Sequence, residues 1–512
     1  MAEYIMLQGT SSHVGKSILA TALCRIFFQE GKRVVPFKAQ NMALNSFVTA
    51  DGREMGRAQV AQAEAAGLLP SVEMNPVLLK PTGNSCSQVI IDGYPVGNMS
   101  AKEYHQGYSL KAFDAVTAAL QRLQMAYDTI VIEGAGSPAE VNLKDHDIVN
   151  MRVAKYLGAP VLLVADIDRG GSLAALVGTL ELLDEEERNL VKGLIINKFR
   201  GDISLFEPAV SFLEQKTGKP VLGVIPFIED LGIDDEDSVS LEEKQHSLKT
   251  GELHIAVIQL PKLSNFTDFD SLAAETDVSL YYVPHPDSLG QPDVIILPGS
   301  KNTAADMAWL RETGLADAIC RQLEKSVPVI GICGGYQMLG QWIHDPLHTE
   351  SSVTSTPGLG LLPVETTFAE AKSLSQVQGV CQNLPFVGTT LSAPVLKGYE
   401  IHMGQTTDVE SGLCHPVVVT ERKGQPCHVV HSTARKDGLV WGTYMHGIFD
   451  NDGFRQDLLN SLRRRKGLPP LLQRNHVQTE KERHYDQLAQ VVRNHLDMTA
   501  LRRIMAGSAD HD

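Results

Sequence analysis

Twice along the chain, short unbroken apolar runs alternate with longer stretches of helical periodicity, and few architectures accept that pattern. The first series is YIMLQG, RVVPFKA, TIVIEGAG, PVLLVADID, VKGLIINKF and PVLGVIP; the second is HIAVIQL, SLYYVP, DVIILPGS, VPVIGICGG and LVWGTYMHGIF. A strand that is apolar on both faces must be covered on both, and helices between successive strands make those strands parallel. The expected fold class is α/β, with two doubly wound parallel-sheet domains. Between Ile228 and Glu252 the sequence turns acidic and polar, which marks an interdomain linker. The expected division is 1–230 for the first domain, 231–251 for the linker, 252–453 for the second domain and 454–512 for a closing helical segment. In that last segment Arg463, Arg464, Arg465 and Lys466 read as a solvated helix face.

A chain of 512 residues is too long for one ordinary core. Its 61 acidic against 45 basic residues leave a net charge of −16. Nucleic acid and anionic membranes are read by basic patches, so neither is an expected partner. Any anionic ligand must be held by local groups. The apolar start YIMLQG runs at once into a glycine loop, the pattern of a buried strand and not of a signal peptide, and no apolar stretch is long enough to span a bilayer. The seven cysteines are scattered without a CxxC pair, as in a protein with reduced thiols, and the expected location is the cytoplasm.

The segment Gly9-Thr10-Ser11-Ser12-His13-Val14-Gly15-Lys16-Ser17 follows an apolar strand and opens a helix. Backbone N–H groups and a helix N-terminus can then surround the phosphates of ATP, with Lys16 neutralising charge and the Ser17 hydroxyl ligating Mg²⁺. Five residues separate Gly9 from the Gly15-Lys16 pair, one more than in the common motif. The longer loop resembles that of the dethiobiotin synthetase group, which activates carboxylates. Glu133 ends the strand TIVIEGAG and is placed to hold Mg²⁺ directly or through water. Lys38, at a comparable strand end, reads either as a contact to the transferred phosphate or substrate carboxylate or as a surface lysine. Asn197 follows VKGLII, where such folds often recognise the purine.

In VPVIGICGGYQMLG an apolar strand enters Gly331-Ile332-Cys333-Gly334-Gly335 and then a helical pattern. This is a nucleophile elbow: small flanking residues permit a sharp turn, and a thiol at a helix N-terminus is activated as a nucleophile. The partner base is expected to be His446 in WGTYMHGIF. The loop Leu297–Lys301, through Gly299, together with the amide of Gly334, is placed to donate to an oxyanion.

Beyond these two sites, GTSSHVGKS, KAQNMALNSFVTADGREMGRAQVAQAEAAG, GAGSPAEVNLKDHDIVNM, VADIDRGGSLAALVGT, PGSKNT, GICGGYQMLG, KGYEIHMG and YMHGIF resemble the cobyric acid synthase family over most of the chain. The resemblance implies a corrinoid acceptor, adenosylcobyrinic acid a,c-diamide, whose b, d, e and g carboxylates are amidated with ATP and Mg²⁺ and with glutamine as co-substrate. Gly9, Gly15, Lys16, Ser17, Cys333 and His446 match the family's positions. Asp145 and Asp147 become acceptor-site candidates, for Mg²⁺, an acceptor carboxylate or the corrinoid, against a solvated turn as the plain alternative. Ordinary class I glutaminases carry an acid two residues after the histidine, but His446 is followed by Gly447-Ile448. Glu400 in GYEIHMG is the candidate to orient His446, the other reading being a Cys/His pair without an acid.

Three further readings remain at this point, one of them a glutaminase-like binding scaffold with no turnover. The a,c-diamide synthase of the same pathway shares both modules. A ParA- or MinD-like regulatory ATPase with an inert glutaminase-like domain would use the nucleotide as a switch. The sequence leaves the oligomeric state open, a homo-oligomer included.

Overall fold

A computed structural model describes residues 2–83, 86–228, 232, 252–472 and 475–507. The chain forms two compact units that interleave along the sequence: Met1–Ala43, Glu54–Glu236 and Thr479–Asp512 make the first, and Leu44–Arg53 with Asp237–Gln478 make the second. The expected linker 231–251 lies, apart from Gly232, outside the described residues.

The first unit is built on a six-stranded sheet. Its strands are β1 (Glu3–Gly9), β2 (Val34–Phe37), β3 (Thr129–Glu133), β4 (Val161–Asp166), β5 (Val191–Phe199) and β6 (Val221–Pro226). They lie in the order β6-β5-β4-β1-β3-β2, and every pairing is parallel. The unbroken apolar runs are explained by burial: Ile5, Leu7, Val131, Leu162, Val164 and Ile195 form one side of the core with Leu19, Leu23 and Phe27 of the helix Lys16–Gln29. Each such side chain contributes about 1.5–3 kcal/mol of burial. The same core takes Tyr485, Leu488, Val492 and Leu501 from the helices Val477–His495 and Met498–Ala506. A four-stranded sheet of Gln40–Met42, Val77–Gly83, Cys86–Ile91 and Tyr94–Ser100 is inserted after β2.

The second unit has a sheet of its own: β7 (Leu253–Ile258), β8 (Val278–Val283), β9 (Val294–Leu297), β10 (Val329–Ile332), β11 (Ser432–Ala434) and β12 (Val440–Thr443). The order is β8-β7-β9-β10-β12-β11, parallel except for β11 on β12. A long antiparallel pair, Val364–Phe386 with Thr389–Asp408, carries GYEIHMG.

The closing segment does not act as one piece. The helix Asp452–Arg465 packs into the second unit through Phe454, Leu458, Leu459 and Leu462, whereas residues from Thr479 onward belong to the first. One part of the basic run also departs from expectation. Arg463 is buried and forms a two-point ion pair with Asp277, Nη2 to Oδ1 at 2.7 Å and Nε to Oδ2 at 2.8 Å. The helix's apolar face turns that position inward, and a buried guanidinium requires such a partner. Arg464, Arg465 and Lys466 are exposed.

Candidate functional site

In the first unit, the chain leaves β1 at Gly9 and curls back into the helix starting at Lys16. A side chain is excluded at each of the two glycines of this loop. A Cβ on Gly9 would lie 2.7 Å from the Ser11 carbonyl oxygen and 2.9 Å from Lys16 Nζ, and Gly15 has φ +93° with Asn197 Nδ2 only 2.1 Å from its would-be Cβ. A left-handed backbone and close approach are both what glycine permits. Thr10 N–H is anchored on Val164 of β4 at 2.9 Å. Buried Lys16 donates to the carbonyls of Ser11 (3.1 Å) and Gly136 (3.3 Å).

Glu133, at the end of β3, gathers the rest. Its Oε1 accepts from Ser17 Oγ at 2.8 Å and from Lys38 Nζ at 2.9 Å, and its Oε2 accepts from Gln62 Nε2 at 2.6 Å. Lys38 is 3 % exposed, which removes the surface-lysine reading. A carboxylate beside the hydroxyl of a phosphate loop is an oxygen donor set suited to Mg²⁺. Gln62 carried no signal in the sequence, since nothing in its spacing relates it to Glu133. Asn197 holds the loop itself: its Nδ2 donates to the Val14 carbonyl at 2.8 Å.

A cavity of about 640 Å³ opens beside this loop, with Gly136 in its wall and Gln40, Met42, Asp145, Asp147 and Arg152 among its lining residues. Asp147 is occupied locally. Its carboxylate accepts from Val149 N–H (2.9 Å) and Asn150 N–H (3.1 Å), and burial raises its pKa. Asn150 in turn clamps the turn after β3, donating to the Ala135 carbonyl at 2.7 Å and accepting from Ala135 N–H at 3.2 Å. The stretch LKDHDIVN thus shapes the cavity wall and leaves Asp145 the less constrained acid.

In the second unit, β10 ends in a sharp elbow. Cys333 sits at φ 52°, ψ −107°, outside the ordinary regions for a residue with a side chain. The glycines around it are required: a Cβ on Gly335 would lie 1.9 Å from the Leu297 carbonyl oxygen, and one on Gly331 2.6 Å from Tyr336 N. A Cβ on Gly334 would lie 2.8 Å from Ser300 N, and one on Gly299 3.4 Å from His446 Cε1. The two oxyanion candidates therefore stand together beside the histidine.

His446 is fully buried, and its orienting acid is Asp268: Nδ1 to Oδ2 is 2.6 Å, while Oδ1 accepts Gly447 N–H at 3.0 Å. His446 Nε2 has no hydrogen-bond acceptor among the described residues. Burial alone would lower the imidazole pKa, but Asp268 and the Cys333 sulfur outweigh it and raise the value to about 10.

Glu400 does not serve His446. Its carboxylate is held by Arg422 (Nε to Oε1 2.8 Å, Nη2 to Oε2 2.9 Å) and His431 (Nε2 to Oε2 2.8 Å). Burial pushes Glu400 up, yet His402, His431 and Arg422 prevail and hold it well below the usual carboxylate range. Strand alternation explains the miss: Glu400 points away from its neighbours Tyr399 and Ile401, and it is the Ile401 carbonyl that meets Cys333 Sγ, at 3.6 Å. Glu400, His402 and His431 bring three donor atoms within 4.8 Å of one another, but the Arg422 guanidinium already fills the place a cation would take. Asp268 is 178 positions from His446 in the chain, so no local motif could have announced it.

Known proteins match the chain in two consecutive stretches. Residues 5–240 match the CobQ/CobB/MinD/ParA nucleotide binding domain, and residues 254–454 match the CobB/CobQ-like glutamine amidotransferase domain. A cobyric acid synthase of Pelotomaculum thermopropionicum is 56 % identical over 511 residues, 99 % of this chain and 97 % of that one. One of Moorella thermoacetica is 54 % identical over 507 residues, covering 99 % and 98 %. One of Salmonella agona is 49 % identical over 508 residues, covering 99 % of each.

Proposed function

Because the chain belongs to the cobyric acid synthase family, we propose that its two units divide one reaction, carboxylate activation with ATP in the first and ammonia release from glutamine in the second. The acceptor is a corrinoid, adenosylcobyrinic acid a,c-diamide, amidated at b, d, e and g. The observation that carries the reading is the buried set Cys333, His446 and Asp268, which a nucleotide switch with an inert appendage has no use for.

In the first unit, Lys16 and the loop amides bind the phosphates of ATP, and Lys16 offsets charge as an acceptor carboxylate takes the γ-phosphoryl group. Ser17 and Glu133 would hold Mg²⁺, which screens the phosphate oxygens when bound. Lys38, now paired with Glu133, is at hand for the transferred group. The cavity lined by Asp145 and Asp147 would take the acceptor arm. Ammonia then displaces phosphate from the acyl phosphate.

In the second unit, the Cys333 sulfur attacks the carboxamide carbon of glutamine, and the backbone at Gly299 and Gly334 stabilises the oxyanion. His446 passes its proton to the leaving nitrogen, and Asp268 keeps the ring in the tautomer and orientation for that transfer. Water, deprotonated by His446, cleaves the thioester and frees glutamate.

Mass spectrometry of the corrinoid after incubation with ATP, Mg²⁺ and glutamine tests the reading. Four acid-to-amide conversions are expected. No conversion of the a,c-diamide but two of cobyrinic acid itself would point to the a,c-diamide synthase reaction, and none on either acceptor, with glutamine or ammonia, would remove the synthetase assignment.

A further inference from the structure

The residues around His446 include a segment from an unexpected stretch of the chain. Residues 44–53 lie within the sequence matched by the nucleotide-binding family, yet they belong to the second unit. The Tyr399 ring stacks on the His446 ring with centroids 5.1 Å apart and planes 16° from parallel. Their backbones exchange two hydrogen bonds, Tyr399 N–H to the His446 carbonyl at 3.2 Å and the reverse at 2.9 Å. Tyr399 is 5 % exposed. Its hydroxyl accepts from Asn265 Nδ2 at 2.9 Å and donates to the Ser46 carbonyl at 3.5 Å, and Phe47 lies against its ring at a centroid distance of 5.3 Å. Thr267, next to Asp268, donates through Oγ1 to Asn45 Oδ1 at 3.4 Å. Asn45 and Val48 are fully buried.

We infer that Tyr399 is a positioning residue for His446, and that residues 45–48 hold both Tyr399 and the Asp268 turn in place, so that glutamine hydrolysis depends on a segment of the nucleotide-binding sequence. The physical case has two parts. A flat aromatic face against an imidazolium both restricts rotation of the ring and stabilises its charge. A proton carrier must also sit within a fraction of an ångström of its path, and a small displacement costs rate rather than binding. The segment is tied at each end to the first unit. Gln40 and Met42 line the cavity beside the phosphate loop, and Glu54 forms a buried ion pair with Lys80 at 2.7 Å.

The inference rests on the glutaminase reading, and the two fail differently. Glutamate release by the full-length protein is measured across pH for the wild type, Tyr399→Phe, Tyr399→Leu and Phe47→Ala. If the wild type releases no glutamate, it is the glutaminase reading that falls. Tyr399→Leu is expected to lower kcat by about 10- to 100-fold with KM nearly unchanged, and to move the alkaline limb of the profile to lower pH. Tyr399→Phe, which keeps the stack, is expected to recover most of the rate. Phe47→Ala is expected to lower kcat in the same sense, and it keeps the question answerable if Tyr399→Leu does not fold. Unchanged kcat and pH profile in folded Tyr399→Leu or Phe47→Ala would overturn the inference, as would a loss seen only in KM.

Discussion

The cysteine site is governed by a single proton. His446 holds it between Asp268 and Cys333, and the geometry makes two demands that can be measured. Replacing Asp268 with Asn keeps the shape but offers Nδ1 the wrong partner, so kcat with glutamine should fall on the order of 10²- to 10⁴-fold. KM should move little, and amidation with free ammonia should survive, since it bypasses this site. Glu400→Gln should not reproduce that loss pattern, because its carboxylate is paired with Arg422 and His431. Stability carries the second demand. His446 binds its proton more tightly folded, at about 10, than at its ordinary 6.5. Its stabilisation is complete below about 6.5 and fades as pH climbs through about 10. The denaturant midpoint of the second unit should therefore decline across that window in the wild type, and far less in Asp268→Asn.

At the scale of elements, both sites sit where a parallel strand stops and a helix starts. Glycine decides whether either turn can form. Gly335→Ala would drive a methyl into the Leu297 carbonyl, which belongs to the neighbouring strand and cannot yield as a flexible side chain would. A loss of about 1–3 kcal/mol or more is expected in chemical denaturation, together with loss of glutamate release. These turns were legible in the sequence because their chemistry is local: GTSSHVGKS and GICGG each announce a strand, a tight bend and a helix within a dozen residues. The supports of the turns were not. Gln62 reaches Glu133 across 71 positions and Asp268 reaches His446 across 178, and neither carries a periodicity or spacing that marks it. Glu400 was the natural candidate because it lies in a distinctive motif, but strand alternation sends it to Arg422. The inward turn of Arg463 had the same origin: a run of four basic residues looks solvated until the helix phase is known.

For the molecule as a whole, the two series of apolar runs become strands of the two sheets, with Ser432–Ala434 added to the second, whereas no sequence signal says which unit the closing helices join. The terminal helices supply Tyr485, Leu488, Val492, Leu501 and Met505 to the core of the first unit. Deleting residues 479–512 should uncover that face, and the shortened chain should aggregate or bind a hydrophobic dye while losing ATP binding. Among the described residues no helix is long and apolar enough to cross a membrane. The interleaving also bears on how such a protein can be divided. A gene split at the acidic stretch would yield one fragment carrying residues 44–53 without the body they pack into, and another carrying residues 479–512 without theirs. Each fragment would hold a part that completes the other, so activity should return only on co-expression. Fission at that point would produce an obligate pair of subunits and not two independent enzymes.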